Sequence, residues 1–239
     1  GVLLVHGWAS DSSVWTKVQE SLDSTGLAID LPGHGASSND VSGWSIDRFA
    51  WALEAERERR GDACLLLVGH SNGAYVIQRY TQLFPKRVAA IVVVEGTYVV
   101  PFEANDVPRI RDSIRSNWGA MLEAPPGLAN AQPATQAAVK TMMARARLST
   151  AIGTMEMLAP VSSLPLQRMS APTTFMLADS PAWTADHLKR LREIAPDAEF
   201  VSLGAISHFA PLDAPVPIAR TIERIRDSAS CASEGKVRP

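Results

Sequence analysis

Short apolar runs recur along the chain and alternate with segments in which apolar residues repeat every three or four positions. Uninterrupted runs, such as 65–68 and 88–94, are typical of strands buried on both faces of a parallel sheet. The other strand candidates are residues 1–5, 27–29, 173–177 and 199–203. Because predicted strands and helices alternate, the pattern favours an α/β fold with a doubly wound, mostly parallel sheet.

The alternation stops between residues 98 and 165, where no strand pattern occurs and prolines precede short helical runs. We therefore expect a core formed by residues 1–97 and 166–227, with a helical insertion at residues 98–165. Residues 228–239 are polar and are expected to form a flexible tail. The charged segment 54–60, at the end of a predicted helix, is expected to be a solvated face.

Composition narrows the class of protein. The chain has 239 residues, 46% of them apolar, which is enough for one large domain with a buried core. The net charge of −2 gives no basic field, and no apolar run is long enough to span a membrane, so neither nucleic acid nor a membrane is an expected partner. The two cysteines, Cys64 and Cys231, argue against a disulfide framework, and a cytoplasmic location is the expectation that follows.

The most informative stretch is Gly-His-Ser-Asn-Gly at 69–73, which connects a predicted strand to a predicted helix. In that context the pattern G-x-S-x-G predicts a nucleophile elbow, a sharp turn that exposes a serine hydroxyl. The two glycines allow the strand and the helix to approach each other closely. Ser71 is therefore the candidate nucleophile.

Three further motifs surround the elbow. They are His-Gly-Trp at 6–8 after the first strand, Asp-Leu-Pro-Gly-His-Gly-Ala-Ser at 30–37, and Ser-His-Phe at 207–209 after the last strand. With these motifs the chain resembles the α/β-hydrolase superfamily from residue 1 to about residue 226. Within the superfamily it is most similar to small carboxylesterases of the pimeloyl-carrier-protein methyl ester type. The resemblance implies that residues 98–165 form a helical cap over the active site. The superfamily usually has two further strands before the first strand found here, so the chain either lacks an N-terminal piece or is a short version of the fold.

His208 is the candidate general base, since it alone among five histidines follows a late strand in a short loop. The acid has two candidates. The superfamily usually carries it at the fourth position of a motif after the strand 173–177, but Pro181 stands there and Asp179 lies two positions earlier. Some branches carry the acid after the preceding strand, where Glu95 lies. We favour Glu95 and keep Asp179 as the alternative.

The same resemblance implies an oxyanion hole formed by the backbone amides of Trp8 and Asn72. No metal-ligand spacing appears, so neither a metal nor a cofactor is expected. The cap contains a tryptophan and several methionines that either form an apolar acyl site or pack in the core. They are Trp118, Met121, Met142, Met143, Met155 and Met157.

Together these residues predict a serine hydrolase that cleaves a carboxylic ester through an acyl-enzyme. The expected substrate is a small-molecule ester with an apolar part. An alternative enzymatic function is hydrolysis of a lactone or a carbon–carbon bond with the same triad. A non-enzymatic alternative is a ligand receptor built on the same scaffold. A dehalogenase is disfavoured because that branch needs an aspartate where Ser71 stands. The sequence leaves the substrate and the oligomeric state open.

Overall fold

The computed structural model describes residues 1–37, 43–98, 104–162 and 167–231. Within these residues six strands form one sheet in the order β2-β1-β3-β4-β5-β6, and every neighbouring pair is parallel. The strands are β1 Val2–Val5, β2 Gly26–Ile29, β3 Leu65–His70, β4 Val88–Val94, β5 Thr173–Leu177 and β6 Glu199–Ser202. The prediction of a parallel α/β sheet is therefore confirmed.

Helices cover both faces of the sheet. They are α1 Thr16–Glu20, α2 Ile46–Arg60, α3 Gly73–Leu83, α4 Val107–Glu123, α5 Pro133–Arg145, α6 Leu148–Ser162, α7 Ala185–Ile194, α8 Ala210–Asp213 and α9 Pro215–Ser228. Successive side chains of a strand point to opposite faces, so Leu3 of β1 packs with α2 and α3 while Leu4 packs with α1 and α9. In the described part of the chain, no helix has both the length and the apolar character needed to cross a membrane.

Three helices, α4, α5 and α6, lie between β4 and β5 in the chain, which confirms a helical insertion at this point. Their apolar side chains, including Ile114, Val139 and Ile152, join the core cluster on the face of α1 and α9. The insertion is thus packed onto the sheet domain. The predicted cap boundaries stay a prediction, because residues 99–103 and 163–165 lie outside the described residues.

Part of the charged segment 54–60 is buried, so the expectation of a solvated face is wrong for that part. Glu54 and Arg57 are 6% and 8% exposed, and the Arg57 guanidinium donates to both carboxylate oxygens of Glu54 at 2.8 Å. The Tyr80 hydroxyl on α3 donates to the same carboxylate at 2.6 Å. Periodicity along α2 could not reveal this burial, because the third partner stands on a neighbouring helix.

Cys64 and Cys231 form a disulfide, with 5.6 Å between their Cα atoms. The expectation against a disulfide is wrong. The predicted flexible tail, residues 228–239, stays a prediction, because only residues 228–231 of it are described and Cys231 among them is held by this bond. Sequence analysis missed the pairing because α9 returns the chain to the start of β3 across a separation of 167 positions. The cytoplasmic expectation loses the support that it drew from unpaired thiols.

Candidate active site

Ser71 follows β3 at a tight turn into α3, and its backbone lies in the left-handed region with a φ of 52°. The turn leaves no room for side chains at its two glycines. A Cβ at Gly73 would lie 2.5 Å from the carbonyl oxygen of Val5, and one at Gly69 would lie 2.8 Å from Cδ1 of Ile77. The predicted context of strand, turn and helix is therefore present, and Ser71 lies at the carboxyl edge of the sheet.

His208 lies in the loop between β6 and α8, next to Ser71. Its Nε2 atom is 2.8 Å from the Ser71 Oγ, and its Nδ1 atom is 3.4 Å from Oε2 of Glu95. Glu95 directly follows β4, and its side chain is 5% exposed. Parallel strands bring these loops to one edge of the sheet, so carboxylate, imidazole and hydroxyl form a row.

The second carboxylate oxygen of Glu95 is held by two donors. The backbone amide of Ala178 donates to Oε1 at 2.6 Å, and the indole N–H of Trp183 donates to it at 3.0 Å. These bonds stabilise the charged carboxylate and leave Oε2 for His208. Sequence analysis missed Trp183, because this contact depends on the path of the loop between β5 and α7.

Asp179, the alternative acid, has different neighbours. Its Oδ1 accepts a hydrogen bond from the Ser202 hydroxyl at 2.7 Å, and its backbone N–H donates to the Gly204 carbonyl at 2.8 Å. The residue is exposed. Of the two carboxylates, the structure brings Glu95 to the imidazole of His208 and holds Asp179 beside β6.

The backbone of His208 is fixed from two sides. Its N–H donates to the Gly127 carbonyl in the α4–α5 loop at 3.0 Å, and its carbonyl accepts from Nε2 of His70 at 2.8 Å. Gly127 has a φ of 84°, and a Cβ there would lie 3.0 Å from the His208 Cβ. Sequence analysis missed both contacts, because His70 occupies the variable position of the elbow and Gly127 lies in the insertion.

The imidazole of His70 is neutral at neutral pH. Burial, with a smaller contribution from His208, lowers the pKa of His70 to about 3. Since Nε2 faces a carbonyl oxygen, this nitrogen carries the proton and donates. A neutral donor fixes the backbone of His208 without adding a positive charge beside the imidazole.

The loop after β1 runs beside the nucleophile, because a Cβ at Gly7 would lie 2.9 Å from the Ser71 Cβ. His6 fixes this loop. Its Nε2 accepts from the Leu31 N–H at 3.1 Å, so its Nδ1 carries the proton and donates to the Gly7 carbonyl at 2.9 Å. Burial lowers the pKa of His6, which keeps this imidazole neutral.

Of the two predicted oxyanion donors, Asn72 directly follows the nucleophile, and Trp8 follows Gly7, which lies beside Ser71. The Gly7 carbonyl and the Trp8 N–H belong to one trans peptide unit, in which they point in opposite directions. Because the Gly7 carbonyl points to the His6 ring, the Trp8 N–H points away from that ring. Asn72 immediately precedes α3, where helix amides favour a negative charge. The Trp8 indole donates to the Ala151 carbonyl of α6 at 2.8 Å, so the side chain packs against the cap.

A pocket of about 590 Å³ opens beside Ser71. The loop after β4, the α4–α5 loop and the β5–α7 loop form its walls. Its described lining includes none of the six cap residues considered for an acyl site. Met142, Met143 and Met157 are buried, and Trp118, Met121 and Met155 pack against the core. The core interpretation of these residues is therefore the one that the structure favours.

One wall of the pocket carries a second pair of a hydroxyl and an imidazole. Thr97 Oγ1 and His187 Nε2 are 2.8 Å apart, and the ring of Trp183 meets His187 edge-on with centroids 5.3 Å apart. Burial lowers the pKa of His187, so this imidazole is uncharged at neutral pH. In the described residues no group of three His, Cys, Asp or Glu could hold a metal ion; the metal-free and cofactor-free expectation stays a prediction.

A parallel sheet that carries a serine elbow at its carboxyl edge, with a histidine and a carboxylate in line, is the architecture of an α/β hydrolase. The chain belongs to the alpha/beta hydrolase family, whose model matches residues 2–221.

Curated relatives and solved structures agree with this family. The chain is 33% identical over 141 residues to lipase LipV of Mycobacterium tuberculosis, which covers 57% of this chain and 50% of the lipase. It is 36% identical over 98 residues to pimeloyl-[acyl-carrier protein] methyl ester esterase of Nitrosomonas europaea, a match that covers 40% of this chain and 37% of the esterase. The matches thus span half or less of these relatives. A malate-bound esterase structure from Thermogutta terrifontis has a TM-score of 0.76 at 21% identity, over 96% of this chain and 90% of that one, which supports the fold.

Proposed function

We propose that this chain is a serine hydrolase that cleaves a carboxylic ester through an acyl-enzyme intermediate. One observation carries the proposal: the Ser71 hydroxyl lies 2.8 Å from Nε2 of His208, and Glu95 stands behind the other nitrogen of the same ring. A hydroxyl is a weak nucleophile, and an adjacent base that accepts its proton is the common way in which enzymes activate it.

In the first half of the reaction, Ser71 Oγ attacks the ester carbonyl carbon while Nε2 of His208 accepts the hydroxyl proton. The backbone amides of Trp8 and Asn72 donate to the oxygen that becomes negatively charged. When the tetrahedral intermediate collapses, the bond to the alcohol oxygen breaks. The imidazolium gives its proton to that oxygen, the alcohol leaves, and the acyl group stays on Ser71.

In the second half, water attacks the acyl-enzyme and His208 accepts the proton of the water. The carboxylic acid leaves as Ser71 takes the proton back. Glu95 holds the proton of His208 on Nδ1 and stabilises the imidazolium, and it stays a carboxylate throughout. Its distance of 3.4 Å from Nδ1 is longer than the about 2.6–3.2 Å of a tight hydrogen bond, and such contacts shorten when substrate binds.

The relatives support the choice of a carboxylic ester as substrate. Two of them are named as a lipase and as a methyl ester esterase, and both names describe ester hydrolysis. Since the matches span half or less of those proteins, we propose the substrate by class alone. The pocket of about 590 Å³ falls within the roughly 300–1,000 Å³ that small-molecule sites occupy, so a small ester is the class that fits.

The proposal is tested with the Ser71→Ala variant, which removes the nucleophile and little volume. We expect hydrolysis of a neutral nitrophenyl ester to fall by about 10⁴-fold or more, with an unchanged circular dichroism spectrum. A fluorophosphonate, which bonds to activated serines, should modify Ser71 of the parent chain, as located by peptide mass spectrometry. Ser116→Ala, at an exposed serine of α4, is the matched control and should keep the parent rate. Parent-level turnover in Ser71→Ala, or an adduct at another serine, would overturn the proposal.

A further inference from the structure

The pocket beside Ser71 has an uneven distribution of charge. Its described lining contains two carboxylates, Glu95 and Asp179, and neither lysine nor arginine. Both carboxylate oxygens of Glu95 are engaged, because Trp183 and a backbone amide donate to one oxygen and His208 meets the other, and its side chain is buried. Asp179 is therefore the carboxylate whose charge a ligand meets.

Asp179 has few partners of its own. Among the described residues, the hydrogen bond to its carboxylate comes from the Ser202 hydroxyl, on Oδ1. The residue is exposed and lines the pocket. An exposed carboxylate in a pocket wall attracts cations toward the side of the pocket on which it lies.

The groups on α7 near this wall do not offset that charge. The guanidinium of Arg190 pairs with Asp186 at 3.3 Å, and Arg190 is not part of the pocket lining. His187, which does line the pocket, is kept neutral by burial, which lowers its pKa. Arg190 also contributes to lowering the pKa of His187 from outside the lining, and its charge is paired with that of Asp186. The described lining itself thus contains the Asp179 carboxylate and neither lysine nor arginine.

The remaining wall groups also suit a cation or a neutral polar group. The rings of Tyr75 and Trp183 line the pocket, and aromatic faces carry partial negative charge that attracts ammonium groups. The pair of Thr97 and His187 supplies a hydroxyl and an imidazole, which accept as well as donate hydrogen bonds.

From these observations we propose that the pocket selects esters by charge, and that Asp179 sets the preference. The substrate class is an ester with an amine or quaternary ammonium group close to the scissile bond. A neutral ester is accepted less well, and an ester with a carboxylate at the same position is rejected. This inference rests on the proposed function of the site.

The experiment uses three esters that differ only at the end of a short chain, which carries a trimethylammonium, a tert-butyl or a carboxylate group. The first two have the same shape, so they separate charge from size. The series is prepared twice, with the variable end on the acyl side and on the alcohol side. In at least one series we expect kcat/KM to decrease from cation to neutral to anion, with about a tenfold span at low ionic strength that shrinks when salt is added.

Asp179→Asn tests the assigned residue, since asparagine keeps an oxygen that accepts from Ser202. The ratio of cation to anion should fall at least threefold in this variant. Asp197→Asn is the matched control. It makes the same change at an exposed position just before β6, at the amino ends of the strands and thus away from the pocket, and it should keep the cation-to-anion ratio of the parent chain.

A binding measurement separates this inference from the proposed function. Calorimetry on Ser71→Ala gives the affinity for each ester without turnover. Tighter binding of the cationic ester supports charge selection, whether or not the parent chain hydrolyses any of the esters. If the parent chain hydrolyses none of them, the proposed function is overturned and charge selection stands. Equal or better binding and turnover of the anion in both series, or a ratio that Asp179→Asn leaves unchanged, would overturn charge selection while ester hydrolysis stands.

Discussion

At the scale of single residues, backbone strain marks the site. The four non-glycine residues described with a positive φ are Ala9, Ser71, Glu95 and Asn130, with values between 48° and 62°. Ala9 follows Trp8, and the other three line the pocket. Each such conformation costs on the order of 1–3 kcal/mol. The surrounding contacts must offset that cost, and the strained positions lie in the pocket wall or in the loop after β1 that runs beside Ser71.

The identity of the acid is decided by a paired substitution. Glu95→Gln removes the charge beside Nδ1 of His208 and disturbs its tautomer, so kcat on a neutral ester should fall by about 10²–10⁴-fold. Asp179→Asn should cost far less on that ester, because its hydrogen bonds go to Ser202 and Gly204. Steady-state kinetics on both variants provides the measurement. The reverse order of losses would assign the acid to Asp179.

Trp183 is a positioning residue for Glu95. Trp183→Phe keeps an aromatic ring and removes the N–H that donates to Oε1 at 3.0 Å. We expect kcat to fall about tenfold and the acidic limb of the kcat/KM pH profile to move to higher pH, because a carboxylate that loses a donor becomes more basic.

Trp51→Phe, at a residue of α2 that is 57% exposed, is the control for that substitution. It should leave both the rate and the pH profile as they are in the parent chain. A Trp183→Phe variant that loses activity with an unshifted profile would have a structural defect, and the positioning role would be rejected.

Sequence could predict the residues whose evidence is local. Ser71 lies in a motif of five residues, and His208 follows a strand in a short loop. Trp183, His70 and Gly127 could not be predicted, since each acts through a contact with a residue more than 80 positions away. Local patterns carry no information on such distant contacts, which depend on how the loops meet above the sheet.

At the scale of elements, strands were predictable and the insertion was not, beyond its helical character. Buried parallel strands require unbroken apolar runs, and those runs stand in the sequence. The α4–α5 loop has no such signature. It nevertheless contributes a pocket wall and the acceptor for the His208 N–H.

Gly127→Ala tests the role of this loop. A Cβ at a φ of 84° is strained and would lie 3.0 Å from the His208 Cβ, so the loop or the imidazole must move. We expect kcat/KM to fall by about 10–100-fold, with a melting temperature within a few degrees of the parent chain. Kinetics and thermal unfolding are the measurements.

Gly119→Ala provides the matched control within the same insertion. A Cβ at this position in α4 meets no atom within 4 Å, and alanine favours a helix over glycine. The activity of this variant should equal that of the parent chain. Equal losses in both variants would mean that the effect comes from the insertion as a whole, and the specific contact of Gly127 would not explain it.

At the scale of the whole molecule, three buried histidines connect stability to pH. Burial lowers the pKa of His34 and of His70 to about 3, and it also lowers that of His6. Their usual pKa is about 6.5 in the unfolded chain. Because the unfolded state binds more protons below that value, the stability they provide is complete above pH 6.5 and decreases as pH falls toward 3.

Between pH 7.5 and pH 5 the free energy of unfolding should therefore fall by about 2 kcal/mol for each of His34 and His70. Denaturant titrations at the two pH values measure the change. His34→Gln should reduce the fall between the two pH values by about 2 kcal/mol. A stability that is constant from pH 7.5 to pH 5 would contradict the prediction.

The bond between the Gly127 carbonyl and the His208 N–H joins two tasks in one loop. The segment that walls the pocket also keeps the base in place, because Gly127 lines the pocket and accepts from the His208 N–H. A substitution that reshapes this wall to admit a larger ester therefore also shifts the imidazole. Substrate range and proton transfer are coupled through one backbone hydrogen bond, so a loop redesigned for a new substrate has to keep that acceptor in place.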